Sequence, residues 1–398
     1  MNTPSIEIVI VAAKRTPFGA YGGGLKSLTA TQLGTLAAKA ALAQVDADPA
    51  DVDAVIFGNV IQSSPDAIYL ARHIGLESGV PKEVPALTVN RLCGSGFQAV
   101  ISAAQEILTG QATTVLCGGT ESMSQAPHCL WNARFGMRYG TAPMSDFLSD
   151  SLTDRFTGLP MSETAENLAT RYDITRAVSD AYAATSQARF AAAQVDGSLA
   201  DELTPVTIAK RKGEIVVSKD EHNRPGTTEA TLAQLRPAFR KDGQVTAGNA
   251  SGINDGAGAL LVTTKANAKA RGWTPLARII SWGVSGCDPS EMGIGPAPAI
   301  RRALSMGGLA LADMDVIEVN EAFAAQYVAV ERELGLDRAK TNIHGGAIAV
   351  GHPLAASGAR ITAHLAYALR QGGHRLGVGS ACIGGGQGIA IVLEAVDV

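Results

Sequence analysis

Charge is scarce in this chain and aromatic rings are scarcer: charged residues make up 18% and aromatic residues 5% of 398 positions. The net charge of −4 comes with no basic block and no interleaving of Arg with aromatics, which excludes the electrostatic footprint of a nucleic-acid binder. No apolar run approaches the roughly 18 residues that suggest a membrane span. The five cysteines, an odd number without paired spacing, argue against a disulfide framework and for a reducing compartment. No His/Cys/carboxylate cluster has metal-ligand spacing. The chain enters strand-like sequence at Ile6–Val11 with neither a signal-peptide pattern nor an Arg-rich transit pattern. The expected location is the cytoplasm, or the mitochondrial matrix for a eukaryotic chain with an uncleaved signal.

What is abundant is glycine, 44 residues, together with a hydrophobic content of 46%. Many tight turns and close backbone approaches follow. The length suits roughly two to four domains. Self-similarity organises them. Asp51-Val52-Asp53-Ala54-Val55-Ile56 resembles Asp313-Met314-Asp315-Val316-Ile317-Glu318, each reading as a helix end running into a buried strand. Further on, each copy has a Gly-rich turn, a helix and another strand. In the first copy Phe97, Val100, Ile101, Ala104 and Leu108 share one helix face, Gly110 ends the helix, and Thr113–Cys117 reads as a strand. In the second copy Pro353 suits a first helical turn, Ile361, Leu365 and Leu369 continue the face, Gly372-Gly373 ends it, and Arg375–Ser380 reads as a strand. Strands alternating with helices imply α/β layers. Residues 123–253 fit neither copy and read as an insertion, with helices expected at Glu163–Arg171 and Arg176–Val195 and a polar stretch at Lys210–Thr228.

Cys93 and His352 therefore sit near equivalent helix starts, and a pseudo-twofold arrangement would bring them together between the halves. A cysteine at a helix N-terminus feels the positive end of the dipole, which favours thiolate, and a nearby imidazole accepts its proton. A structural thiol and a satisfied core histidine are the plain alternatives. Cys382 precedes Gly384-Gly385-Gly386, whose backbone N–H groups can face a pocket and stabilise an oxyanion; a turn between buried strands is the alternative. Cys117 reads as a core thiol, and Cys129 and Cys287 lack an arguable partner. Glu121, Glu163 and Glu321 read as solvated or structural acids. Two thiols and an imidazole suit carbon–carbon bond chemistry beside a thioester, one thiol carrying acyl and the other moving a proton at carbon.

The chain resembles the thiolase family along nearly its whole length. The motifs are Asn90–Gly96, Gly118–Met123, Thr164–Asn167, Thr246–Gly252, Asn320–Phe323, Gly345–Pro353 and Cys382–Gly388. The resemblance implies two similar five-stranded-sheet halves in α/β/α/β/α layers with a loop domain: 1–122 plus 254–274, the loop domain 123–253, and 275–398. It implies Cys93 as the acyl-carrying nucleophile, His352 as its activator and Cys382 as the acid/base at the α-carbon. Asn320 would hold a water that stabilises the thioester enolate, and the amides of Cys93 and Gly384 would form a second oxyanion hole. Arg224, Thr227 and Ser251 would contact coenzyme A, with Met161 and Phe323 lining the pantetheine and acyl channel. Lys210, Arg211 and Lys212 are further cations for its anionic end, or a solvated loop face. Coenzyme A is expected as co-substrate with no tightly bound cofactor, acyl-CoAs as substrates, no nucleic-acid or membrane partner, and a homodimer or homotetramer. A ketoacyl synthase and a non-catalytic acyl-CoA binder are the alternatives. His344 and Ala355 depart from the family pattern, which has Asn and Gly there; the Ala355 methyl is expected near the His352 turn, where it would shift the ring or narrow the channel.

Overall fold

The computed structural model describes residues 6–396. Nine strands form most of one mixed sheet: β1 (Ile8–Arg15), β2 (Ala54–Gly58), β3 (Ala86–Val89), β4 (Thr114–Ser122), β5 (Asn254–Thr264), β6 (Ala277–Gly286), β7 (Val316–Val319), β8 (Leu376–Ile383) and β9 (Gln387–Ala395). Their order is β7-β8-β9-β6-β1-β5-β4-β2-β3, and Gly19–Ala20 adds a short pairing to β5. Each half repeats one pattern. An antiparallel trio, β1-β5-β4 or β6-β9-β8, is continued by a parallel strand, β2 or β7. In the first half β3 makes a fifth strand. In the second, that place shrinks to a single bridge between Ile317 and Thr341, so five strands are realised only once. The halves join where Ile8–Ile10 pair with Ala277–Ile279.

The duplication extends to side chains. Asp53 Oδ2 accepts the amides of Thr113 and Thr114 at 2.8 and 2.9 Å, and Asp315 Oδ2 accepts those of Arg375 and Leu376 at 2.9 and 3.0 Å. Each aspartate lies just ahead of the parallel strand and staples it to the start of its neighbour.

The main helices are α1 (Ala30–Gln44), α2 (Leu70–Glu77), α3 (Ser95–Leu108), α4 (Met161–Arg171), α5 (Arg176–Asp196), α6 (Pro296–Gly307), α7 (Ala324–Leu334), α8 (Ala347–Val350) and α9 (Leu354–Gly372). Strand residues alternate between two cores, as a period of two requires. Leu116 and Phe57 face α1 and α2 on the outer side. Val115, Cys117 and Ile56 face α3 and α9, which also pack on Ile389, Ile391 and Leu393 of the other half. Helices α6 and α7 cover the outer side of the second half. The result is the expected α/β/α/β/α layering. Every residue of α9 from Leu354 to Leu369 is buried, which a helix can sustain only when apolar neighbours surround it.

Glycine lets the two central helices touch near their starts. A Cβ on Gly358 would stand 2.3 Å from the Phe97 amide, and one on Gly96 would stand 2.5 Å from the Ala355 carbonyl oxygen. Only backbone fits there.

The inserted segment carries α4 and α5 as expected. The polar stretch holds more order than its composition indicates: Val206–Ala209 and Glu214–Val217 pair as a hairpin with Lys210, Arg211 and Lys212 exposed at its tip. Arg15, fully buried at the end of β1, anchors the insertion through Glu202 at 2.6 Å and Asp220 at 2.7 and 3.0 Å. Among the described residues no helix is long and apolar enough to cross a membrane, and all five cysteines are free.

Candidate active site

The turn before α3 aims Cys93. Leu92 has φ +47, a left-handed conformation that is strained for a branched side chain. It is held in place by its amide on Asn90 Oδ1 at 2.9 Å and by the Ser95 hydroxyl donating to its carbonyl at 2.6 Å. The Cys93 and Gly384 amides face the half-buried Cys93 sulfur. Gly385 and Gly386 take the left-handed conformation, with φ +77 and +81. Burial pushes the Cys93 thiol up to about 11 against the pull of those amides, with the Glu121 charge adding to the rise, so forming the thiolate calls for a proton acceptor.

His352 is buried, and burial with the Arg360 charge lowers it to about 4, so its imidazole is neutral at neutral pH. Its ring is oriented by a contact the sequence did not reveal. Nδ1 lies 2.6 Å from Ser357 Oγ, and that hydroxyl gives its one proton to the Pro353 carbonyl at 3.0 Å. Ser357 therefore accepts from Nδ1–H, which leaves Nε2 with a free lone pair. The backbone is fixed as well. The His352 amide donates to Asn254 Oδ1 at 3.1 Å, and a Cβ on Gly351 would stand 2.3 Å from that Asn254 side chain.

Asn320 follows β7 and is fully buried, with Nδ2 3.4 Å from His352 Nε2 and Oδ1 without a protein partner. Cys382, the last residue but one of β8, is buried against Met292 and Ala322 with Met161 and Phe323 alongside. Burial holds its thiol well above the ordinary range, and a thiolate on neighbouring Cys93 would raise it further.

Cys93, His352, Met161, Ser251 and Phe323 line one cavity of about 350 Å³. Arg224 and Thr227 do not. They line a neighbouring cavity of about 190 Å³, across the His222 ring, which a Cβ on Gly252 would meet at 2.3 Å. The main cavity also has walls that pattern reading did not single out: Met123, Leu148, Leu152, Phe239, Met292 and Leu354. Two families of apolar residues flank Cys93, one around Ile61, Met123, Leu148 and Leu354, the other around Met292, Phe323 and Cys382.

Of the acids read as solvated or structural, Glu121 and Glu321 take the structural place, fully buried, while Glu163 is half-buried and pairs with Arg240 at 2.5 Å. Ala355, expected to narrow the channel, does not line the cavity, and its carbonyl rests on Gly96 and Gly119. His344 stands away from the cavity and contacts His364 at 3.2 Å. Among the described residues no group of three or more His, Cys, Asp or Glu could hold a metal ion.

Comparisons with known proteins bear on what these groups do. Residues 8–266 match the family described as "Thiolase, N-terminal domain", and residues 273–395 match "Thiolase, C-terminal domain". The human mitochondrial 3-ketoacyl-CoA thiolase is 58% identical over 98% of both chains. An acetyl-CoA acetyltransferase of Thiocystis violacea is 47% identical over 98% of this chain and 99% of its own. The crystal structure of the human mitochondrial enzyme in complex with CoA superimposes with a TM-score of 0.96 at 57% identity, over 98% of each chain. Matched in both halves and aligned with such relatives nearly end to end, this chain belongs to the thiolase family of acyltransferases.

Proposed function

We propose that the chain catalyses reversible, CoA-dependent cleavage of 3-ketoacyl-CoA through an acyl group on Cys93. The observation that carries this reading is the meeting of the Cys93 thiol and the His352 imidazole in one apolar cavity, with the Cys382 thiol packed behind Met161, Met292 and Phe323 of its wall. Cys93 gives its proton to His352 Nε2 as the sulfur attacks the 3-keto carbon, and the oxyanion meets the Cys93 and Gly384 amides. The C2–C3 bond breaks, its electron pair forming the enolate of acetyl-CoA, whose oxygen faces protonated His352 and the Asn320 site. Cys382 delivers its proton to C2. An incoming CoA thiol takes the acyl group from Cys93, and its proton and that on His352 restore both cysteines. The reverse sequence condenses two acyl-CoAs.

The higher identity to a 3-ketoacyl-CoA thiolase than to an acetyl-CoA acetyltransferase supports acyl chains beyond acetoacetyl, as does the apolar wall of Leu148, Leu152 and Leu354. Ser251, Met161 and Phe323 would flank the pantetheine arm. Arg224, which has no acidic partner within 4.0 Å among the described residues, and Thr227 would meet the nucleotide end. The three-part division at 122, 254 and 274 stays part of this proposal, as does a homodimer or homotetramer. Exposed Leu87 on edge strand β3, and exposed Trp131, Phe135 and Met137 in the insertion, support self-association. The mitochondrial relatives support a matrix location for a eukaryotic chain over the cytoplasm. The test is CoA-dependent cleavage of short-, medium- and long-chain 3-ketoacyl-CoAs with Cys93→Ser as control. Cleavage that vanishes in the control is expected; CoA binding with no turnover at any length would make the chain a binder.

A further inference from the structure

Glu121 is a buried carboxylate that the proposed chemistry does not use. It stands at the end of β4 with no exposure. Four N–H groups converge on it: Asn59 Nδ2 at 3.0 Å, Ile61 N at 3.0 Å, Val60 N at 3.2 Å and Ala355 N at 3.1 Å. No cation lies within 4.0 Å of it among the described residues. A buried anion without a counter-ion persists only where fixed dipoles replace water, so this geometry is held by the surrounding backbone and in turn holds it.

The donors come from three places that matter. Val60 and Ile61 form the turn after β2 that packs with Cys93 and Leu354 in the cavity wall. Ala355 belongs to the first turn of α9, directly after His352 and Pro353. The same strand that carries Glu121 also presses on that turn from the other side: a Cβ on Gly119 would stand 1.9 Å from the Ala355 carbonyl oxygen. The end of β4 thus grips Ala355 by its amide through Glu121 and leaves room for its carbonyl at Gly119. With Asn254, which takes the His352 amide, it is a point where the first half takes hold of the segment that presents the imidazole. We propose that Glu121 is a positioning residue: it fixes the His352-bearing turn of the second half against the Cys93-side wall of the first, so that imidazole and thiol are aligned for the reaction.

The inference rests on the reading that Cys93 and His352 react together. Its test uses full-length Glu121→Gln, which keeps the shape but turns an NH₂ group toward N–H donors. Active sites are counted by radiolabelled acetyl transfer from acetyl-CoA, and kcat is expressed per labelled site. A residue that merely supports the fold would lower the number of labelled sites and leave kcat per site alone. Misalignment predicts a kcat per site lower by about 100-fold, with KM for CoA and for the ketoacyl-CoA nearly unchanged. Should Glu121→Gln prove insoluble, Glu121→Asp retracts the carboxylate from Ala355 and is expected to give the same split. Unchanged kcat per site, or a change confined to KM, overturns the inference. Absence of labelled Cys93 in the unsubstituted protein would instead overturn the proposed function itself.

Discussion

Replacing Ser357 with alanine tests how the base is prepared. The serine takes the Nδ1–H of His352 at 2.6 Å, deep in the protein. When Nε2 accepts the Cys93 proton, the ring becomes a cation in a place where burial and the Arg360 charge already disfavour one. The hydrogen bond to Ser357 is then bonded to a charged group. Bonds of that kind contribute about 1.5–3 kcal/mol, against about 1 kcal/mol for a neutral pair. The barrier therefore rises by the difference, about 0.5–2 kcal/mol, and at 1.36 kcal/mol per tenfold in rate this slows Cys93 acylation by about 2- to 30-fold. The neutral ground state loses less, so KM for CoA stays near its original value. Rapid-quench measurement of acyl transfer to Cys93 reads this step alone, and Ser357→Thr, which keeps the hydroxyl, should recover most of the rate. Acylation of Ser357→Ala at the unsubstituted rate would refute both the tautomer assignment and the role of the bond.

Three more outcomes are expected. Cys382→Ala should retain acyl transfer to Cys93 and lose carbon–carbon cleavage, because the acid at C2 is gone; equal loss in both half-reactions, measured separately, would remove Cys382 from the carbon step. Arg15→Met leaves Asp220 buried without its cation and Glu202 with His364 alone at 2.9 Å, and should destabilise the fold by about 3–5 kcal/mol in denaturant titration; a shift below about 1 kcal/mol would show that water reaches these carboxylates. His352, lowered from 6.5 to about 4, favours its neutral form in the fold, so the unfolded chain binds more protons between those values and stability present above pH 6.5 is lost on acidification toward about 4. Glu121, raised to about 7 by burial, titrates in the opposite sense, since its folded form takes up the proton first. The comparison is therefore between the protein and His352→Asn, whose melting temperature should fall less over that window. Parallel curves would mean that His352 is not depressed.

How much of this was legible before the structure depends on sequence distance. Cys93 and His352 stood out because local signals, glycine before an apolar helix face and glycine before proline, repeat in two copies. Helix faces and the ends at Gly110 and Gly373 followed from periodicity and backbone freedom at glycine. The duplicated staples at Asp53 and Asp315 lie inside the repeat already visible. By contrast, the grip of Asn254 on the His352 amide and of Glu121 on Ala355 joins residues far apart in the chain, and a single sequence carries no mark of such pairing. Burial also opposes simple dipole arguments: Cys93 sits at a helix start, yet desolvation raises its thiol above the ordinary value. The sequence leaves Glu121 open between a solvated and a structural acid, and the four converging donors are what make its burial tenable.

The central position of α9 has a consequence for how the chain can come apart. Its buried surface from Leu354 to Leu369 is shared by both halves of the sheet, and α3 leans on the same core. Neither half can detach without exposing that apolar layer to water, which makes independent melting of the two repeats unfavourable. The duplicated architecture behaves as one cooperative unit, in which a lesion in either repeat is felt by both. Half of the chain made alone would carry a naked greasy face and aggregate, so the two copies, however alike, have become obligate halves of one fold.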